Sequence, residues 1–167
     1  MRTSKKGLLP ERLGAVVILA LAASCGKERN VSMQPVAVVS AADPALGRKH
    51  FGVYCAACHQ ADGSGTWGGP PPLMDSPWIR GPETRIIRIV LNGLRGPIEI
   101  KGKTYNLEMP GFRTMIDDVK LATLLTYART RFGGLNEPLR PAVVNRVRAA
   151  TKDRTGYWTA PELLEIP

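Results

Sequence analysis

Cys55 and Cys58 stand three residues apart, and His59 directly follows the second of them. On a helical turn that spacing puts both sulfurs on one face, within reach of one flat partner. The residue after the second cysteine can then bring an imidazole nitrogen beneath the same partner. Cys55-Ala56-Ala57-Cys58-His59 is therefore the pattern that attaches a c-type haem. Each thiol adds across one vinyl group to give a thioether, and the histidine becomes the proximal iron ligand. At this cysteine and histidine content, chance gives the pattern about 0.0006 times per chain, so coincidence is a poor explanation. Three other chemistries compete: a structural disulfide, a thioredoxin-like redox pair, and half of a zinc site. Zinc needs four ligands, and outside the motif the chain offers only Cys25 and His50. A thioredoxin-like pair needs a βαβ setting, and no such pattern surrounds it.

The elements that must position this motif can be read in order. Asp43 is a natural N-cap and Pro44 a natural first helical residue, so a helix should run through Gly47, Phe51 and Tyr54 into Cys55. Residues 60–72 form a loop. Gly63-x-Gly65-x-x-Gly68 matches a dinucleotide fingerprint in form, but it follows no strand, opens no helix and ends in Pro70, Pro71 and Pro72. Its glycines are better suited to wrapping backbone round a haem edge. Trp78 can pack on the haem, bond a propionate, or sit in the core with a wet ring nitrogen. Gly81-Pro82-Glu83 opens a second helix that Gly93 should end. Ile86, Ile87, Ile89, Val90 and Leu91 are more apolar than one face requires, so most of that helix should be buried. Ile98 and Ile100 alternate and are followed by Lys101-Gly102, which suggests a small hairpin. Asp117 caps a long helix carrying Leu121, Leu124, Leu125, Ala128 and Phe132, with Gly133 as its end. Pro141 to Ala150 reads as one more helix, and Thr159-Ala160-Pro161-Glu162 as a capping box opening a last short turn.

Taken together, these residues resemble the class I cytochromes c. In that family a glycine lies eight residues, and an aromatic four residues, before the first motif cysteine; here they are Gly47 and Phe51. The resemblance spans about residues 43–133. It implies a mainly α fold, with helices packed round one covalent haem c. A small β-hairpin and a helical C-terminal extension would be additions here. It implies that Gly47 and Phe51 meet the long helix closely, with Tyr127 as the opposing residue. It implies that a proline about twelve residues after the proximal histidine offers that imidazole its carbonyl, and Pro71 is twelve on. It also implies a methionine as distal ligand from a later loop. Met109, stiffened by Pro110, is the candidate and Met115 the next one. Met74 lies by the turn on the proximal side, while Met1 and Met33 fall in the leader and tether. His50 reads as a surface residue. Gly96 to Pro110, as Gly-Pro-Ile-x-x-x-Gly-x-x-Tyr-Asn-x-x-Met-Pro, is similar to the cytochrome modules of quinoprotein dehydrogenases and related periplasmic oxidases. Tyr105 of that segment joins Pro71 and Trp78 as an expected haem-pocket residue.

Residues 1–25 read as a signal peptide. Arg2, Lys5, Lys6 and Arg12 precede an apolar run, Leu13 to Ala23, that is too short to span a bilayer. The run ends in Leu21-Ala22-Ala23-Ser24-Cys25, which resembles a bacterial lipoprotein cleavage site, with Cys25 the lipidated first mature residue. The pattern usually places Leu or Val three residues before that cysteine, where Ala22 stands here. The alternative is ordinary cleavage and a free thiol. Residues 26–42 then form a flexible tether, 43–133 the cytochrome domain and 134–167 the extension, as a packed strap or a docking element.

The net charge is +9, of which the first 25 residues supply +3. No cluster of Arg and Lys interleaved with aromatics is present, which argues against nucleic acid as a partner. The expectation is an exported electron carrier of the periplasm or cell envelope, held to a membrane by its lipid, and not an enzyme. It would pass single electrons from a donor, such as a quinoprotein dehydrogenase, to a terminal oxidase or further cytochrome. A haem enzyme or a gas or redox sensor is the alternative. That needs a labile distal site with an acid or base nearby, and no histidine is available for it.

Overall fold

The computed structural model describes residues 43–166. Cys25, the leader and the tether lie outside the described residues. Chain order is α1 (Pro44–Tyr54), α2 (Ala56–His59), α3 (Pro77–Arg80), α4 (Glu83–Asn92), β1 (Pro97–Ile100), β2 (Lys103–Asn106), α5 (Asp118–Gly133), α6 (Pro141–Ala150) and α7 (Ala160–Leu164). The fold is mainly helical with one antiparallel hairpin, as expected for a class I cytochrome c.

Helix α1 starts where its residues dictate. The Asp43 carboxylate accepts from the amides of Ala45 (2.9 Å) and Leu46 (3.1 Å), satisfying two N–H groups that the helix leaves free. Helix α5 is capped likewise by Asp117, which accepts from the Lys120 amide at 2.8 Å. The two helices cross at Gly47. A Cβ there would lie 2.5 Å from Tyr127 Cβ and 2.8 Å from the Thr123 carbonyl oxygen, so only hydrogen fits. Phe51 fills the space beside the crossing, with ring centroids 5.8 Å from Tyr127 and 5.1 Å from Phe132.

Helix α5 ends at Gly133, as expected, and Gly134 follows as the left-handed cap with φ 69°. One short element, α3, was not expected from the sequence. Helix α3 is a single turn opened by Ser76 and Pro77, with Ser76 Oγ accepting from the Trp78 amide at 3.3 Å. Four residues are too few to show a helical period. Long side chains tie α3 and the start of α4 to α5. Arg129 Nη1 donates to the carbonyls of Ile79 (3.0 Å) and Gly81 (2.8 Å), and Arg80 Nε donates to that of Gly133 (3.0 Å).

In the hairpin, Ile98 faces Tyr105 and Ile100 faces Lys103. Lys101 and Gly102 both take left-handed φ, 52° and 73°, as in a two-residue turn that matches strand twist. Ile98 and Ile100 point into the core and Glu99 out of it.

Residues beyond 133 share that core. Helix α6 packs on α4 and α5, and its Val143, Val144 and Val147 join the same buried cluster as Ile87, Leu91 and Leu121. Each such side chain contributes about 1.5–3 kcal/mol by leaving water. The Leu139 amide donates to Thr126 Oγ1 at 2.9 Å, anchoring the extension's entry on α5. The Arg148 guanidinium donates to Asp118 Oδ1 (2.7 Å) and to the carbonyls of Arg113 (2.6 Å) and Ile116 (2.7 Å). Before α7 the chain runs beside the end of α4. The Trp158 amide donates to the Gly93 carbonyl (3.1 Å), and the Arg95 amide donates to the Trp158 carbonyl (2.9 Å).

Candidate functional site

Cys55 breaks the path between α1 and α2, with φ −124° and ψ −35°. Its carbonyl accepts from the amides of Cys58 (3.1 Å) and His59 (2.9 Å), which closes the motif into one tight turn. Cys55, Cys58 and His59 all line a cavity of about 320 Å³. Its walls are apolar: Ile86, Ile89 and Val90 from α4, Leu124, Leu125 and Ala128 from α5, and Ile98 and Ile100 from the hairpin. The sequence expected α4 to be buried against haem or core, and it borders both.

The thiols are not bridged. Burial, and then the neighbouring Cys58, push the Cys55 thiol up to about 12. The strands among the described residues form only an antiparallel hairpin and no βαβ unit surrounds the motif, so the thioredoxin-like reading fits poorly. Among the described residues, no group of three or more His, Cys, Asp or Glu side chains converges to hold a metal ion.

His59 is buried, and its Nδ1 lies 3.0 Å from the Pro71 carbonyl oxygen. A carbonyl can only accept, so Nδ1 carries the hydrogen and Nε2 keeps its lone pair. Burial holds the imidazole below its usual 6.5, against the opposing pull of the Pro71 bond, so the ring is neutral at pH 7. The loop places Pro71 by folding onto itself. The Gly65 amide donates to the His59 carbonyl (3.1 Å), the Thr66 amide to that of Pro70 (2.9 Å), and the Leu73 amide to that of Gly63 (2.8 Å). Gly65 has φ 69°, and a Cβ on it would sit 2.7 Å from the Pro71 carbonyl carbon. These glycines serve an arch under the histidine, with no phosphate cradle.

Met109 is half-buried and lines the same cavity. Its amide donates to the Leu94 carbonyl at 2.8 Å, and its carbonyl accepts from the Leu94 amide at 3.0 Å. Trp78 and Tyr105 line the cavity too. The Arg85 guanidinium lies 5.7 Å from the Trp78 ring and the Lys103 ammonium 5.1 Å from the Tyr105 ring. The other described methionines do not line it: Met115 is 63% exposed, and Met74 packs beside Phe51 and Phe132. Met1 and Met33 lie outside the described residues. His50 is half-exposed on α1 and stays off the cavity wall. Leu94 was not foreseen from sequence. It lines the cavity and holds Met109 by isolated backbone bonds, which leave no periodic signal.

Two thiols, a neutral imidazole and a thioether around one apolar cavity fit an iron porphyrin held by thioethers. Comparison with known proteins agrees. Residues 42–127 match the family model described as cytochrome c oxidase, cbb3-type, subunit III. The chain is 33% identical over 104 residues to cytochrome c-552 of Thermus thermophilus, which covers 57% of this chain and 79% of that protein. A second cytochrome c-552, from a particular strain of Thermus thermophilus, gives the same 33% identity over 57% of this chain and 70% of its own length. The chain thus belongs to the cytochrome c family, whose members hold haem c covalently and carry electrons.

Proposed function

We propose that Cys55 and Cys58 carry the two haem thioethers, that His59 and Met109 are the axial ligands, and that the chain is the electron outlet of a periplasmic dehydrogenase. The observation that carries the reading is the shared cavity. His59, with Nδ1 on the Pro71 carbonyl, and Met109, with its backbone on Leu94, both line it. Bound haem c would supply a centre that takes one electron from the donor and passes it to the acceptor. The Pro71 carbonyl fixes the His59 tautomer and makes Nε2 more basic. The Met109 thioether favours the reduced iron and raises its potential relative to all-nitrogen ligation. The apolar wall keeps water from the ring. With His59 and Met109 both holding the iron, electron transfer would require little rearrangement of the protein.

Acidic acetone added to protein made with haem attached tests the thioethers. The colour should stay with the polypeptide, and colour passing into the solvent refutes the assignment. A far-red sulfur-to-iron band in the same preparation would support methionine ligation.

The Gly96 to Pro110 segment favours a quinoprotein dehydrogenase as donor. The matched family's oxidase description favours a terminal oxidase, directly or through another cytochrome, as acceptor. Stable co-purification with a quinoprotein supports this; reduction by no dehydrogenase of the same envelope counts against it.

Export to the cell envelope accords with the family. Among the described residues no helix is long and apolar enough to cross a membrane. The proposed attachment is a lipid on Cys25. Cys25→Ser should leave the haem in place and release the protein from membranes, because acyl chains would supply the affinity. Wild-type protein found wholly in the soluble fraction would refute lipidation.

A further inference from the structure

Met109 lies on a stretch, from Leu107 to Asp117, without regular helix or ladder of its own. What fixes it is the end of α4. Beyond the paired Leu94 bonds, the Phe112 amide donates to the Val90 carbonyl (2.8 Å) and the Arg113 amide to that of Leu91 (3.1 Å). The end of α4 is in turn gripped from its other side by residues after α5. The Trp158 backbone pairs with Gly93 and Arg95. Asn92 Nδ2 donates to the Arg154 carbonyl (2.9 Å). Arg113 Nη2 donates to Asn92 Oδ1 (2.8 Å) and to the Thr151 carbonyl (3.0 Å) and hydroxyl (2.5 Å), so it joins loop, helix end and tail. At Gly93 the two sides touch. A Cβ there would strike the Met109 carbonyl oxygen and lie 2.5 Å from Tyr157 Cδ1. The tail is itself well anchored: Leu163 is fully buried, Trp158 nearly so, and Glu162 is held by Arg154 (2.9 Å) and by the Thr159 amide (2.8 Å). All of these tail residues lie beyond residues 42–127, the part matched by the family model.

We propose that the C-terminal segment around Trp158 is a positioning element for the Met109 thioether. Trp158 holds Gly93 and Arg95 by backbone bonds, and Leu94 between them holds Met109. This rests on Met109 being the axial ligand. A thioether binds iron weakly enough that its occupancy depends on how rarely its loop swings away. An added base can bind only in the swung-out state, so its apparent affinity rises with the population of that state.

The test uses the full haem-loaded chain. Trp158→Pro removes the N–H that Gly93 accepts from. Leu163→Ala, a milder change, withdraws the tail's buried anchor. Leu164→Ala, at an exposed neighbouring position, is the control. Imidazole titration of the oxidised protein, followed by loss of the far-red band, reports the swung-out population. Trp158→Pro loses the bond to Gly93 and a nearly buried indole as well, so imidazole affinity should rise by at least about 5–10-fold, and in the same direction in Leu163→Ala. Exchange of the Met109 amide should quicken by a similar factor, while amides at the α1–α5 crossing and all of Leu164→Ala stay within about twofold of wild type. A merely structural tail would instead quicken exchange throughout the domain, and that result overturns the proposal. So does an unchanged imidazole affinity in both tail variants, when Met109→Ala has abolished the band. A band that survives Met109→Ala overturns the ligand assignment, and this proposal with it.

Discussion

Met109→Ala should keep its haem and lose three properties together. Cys55, Cys58 and His59 lie elsewhere on the cavity wall, so attachment and proximal ligation are untouched. The vacated position fills with water or a foreign base. The far-red sulfur-to-iron band then disappears, because no thioether remains on the iron. The potential falls by on the order of a tenth or more of the ~0.8 V range over which axial ligands set haem potentials, since the group that favoured reduced iron has gone. The reduced form binds carbon monoxide readily, because no protein ligand must first be displaced. Met115→Ala should leave all three near wild type. That side chain is 63% exposed and off the cavity wall, and its hydrogen bonds are made by backbone: its amide donates to the Phe112 carbonyl at 2.9 Å and its carbonyl accepts from the Tyr54 hydroxyl at 3.2 Å. If Met115→Ala produced the changes and Met109→Ala did not, the assignment would move to Met115. Wild-type protein that already bound carbon monoxide rapidly would favour a haem enzyme or sensor over a carrier.

Gly47→Leu should cost about 1–3 kcal/mol, and more if the crossing cannot relax. The reason lies in which atoms it meets. A Cβ at 47 would be 2.5 Å from Tyr127 Cβ and 2.8 Å from the Thr123 carbonyl oxygen, and neither can swing aside as a flexible side-chain end would. The helices must separate, which also loosens Phe51 between Tyr127 and Phe132. Thermal melting of the haem-loaded protein should fall by about 5–10 °C. Gly52→Ala on the same helix is the contrast. A Cβ there meets nothing within 4 Å, so the better helix former should gain about 0.5–1 kcal/mol. Gly47→Leu melting with wild type would refute the close crossing.

Features carried by a few adjacent residues were legible in the sequence. Asp43 and Asp117 announced two helix starts, Gly93 one helix end, Lys101-Gly102 the hairpin turn, and Thr159 with Glu162 the last cap. Gly133 was legible as the end of α5, and Gly134 beyond it supplies the left-handed cap. Helix α3 escaped because one turn has no period. At the site, the family pattern pointed to Pro71, and the geometry then put its carbonyl on His59 Nδ1. The Leu94 pairings with Met109 and Trp158 were not legible, since single bridges between distant residues carry no alternation. The same holds for Arg113 and Arg148. Their partners are chiefly backbone carbonyls far along the chain, and a carbonyl is present at every position.

The arch under His59 also bears on the order of assembly. Its bond to Pro71 spans twelve positions, whereas Leu94 and Trp158 stand 64 apart. Loop closure grows with the logarithm of span, so the longer pairing costs about 1.5 kcal/mol more chain entropy than the shorter. The turn that carries both thiols and the imidazole is therefore the half of the cavity that local chain can make early. The Met109 stretch pairs with the end of α4 over a similarly short span, but its latch to Trp158 waits for the C-terminus to return. In between, the motif is set while the opposite wall is still unlatched, which leaves a broad, flat guest a way in before the last segment of the chain closes it.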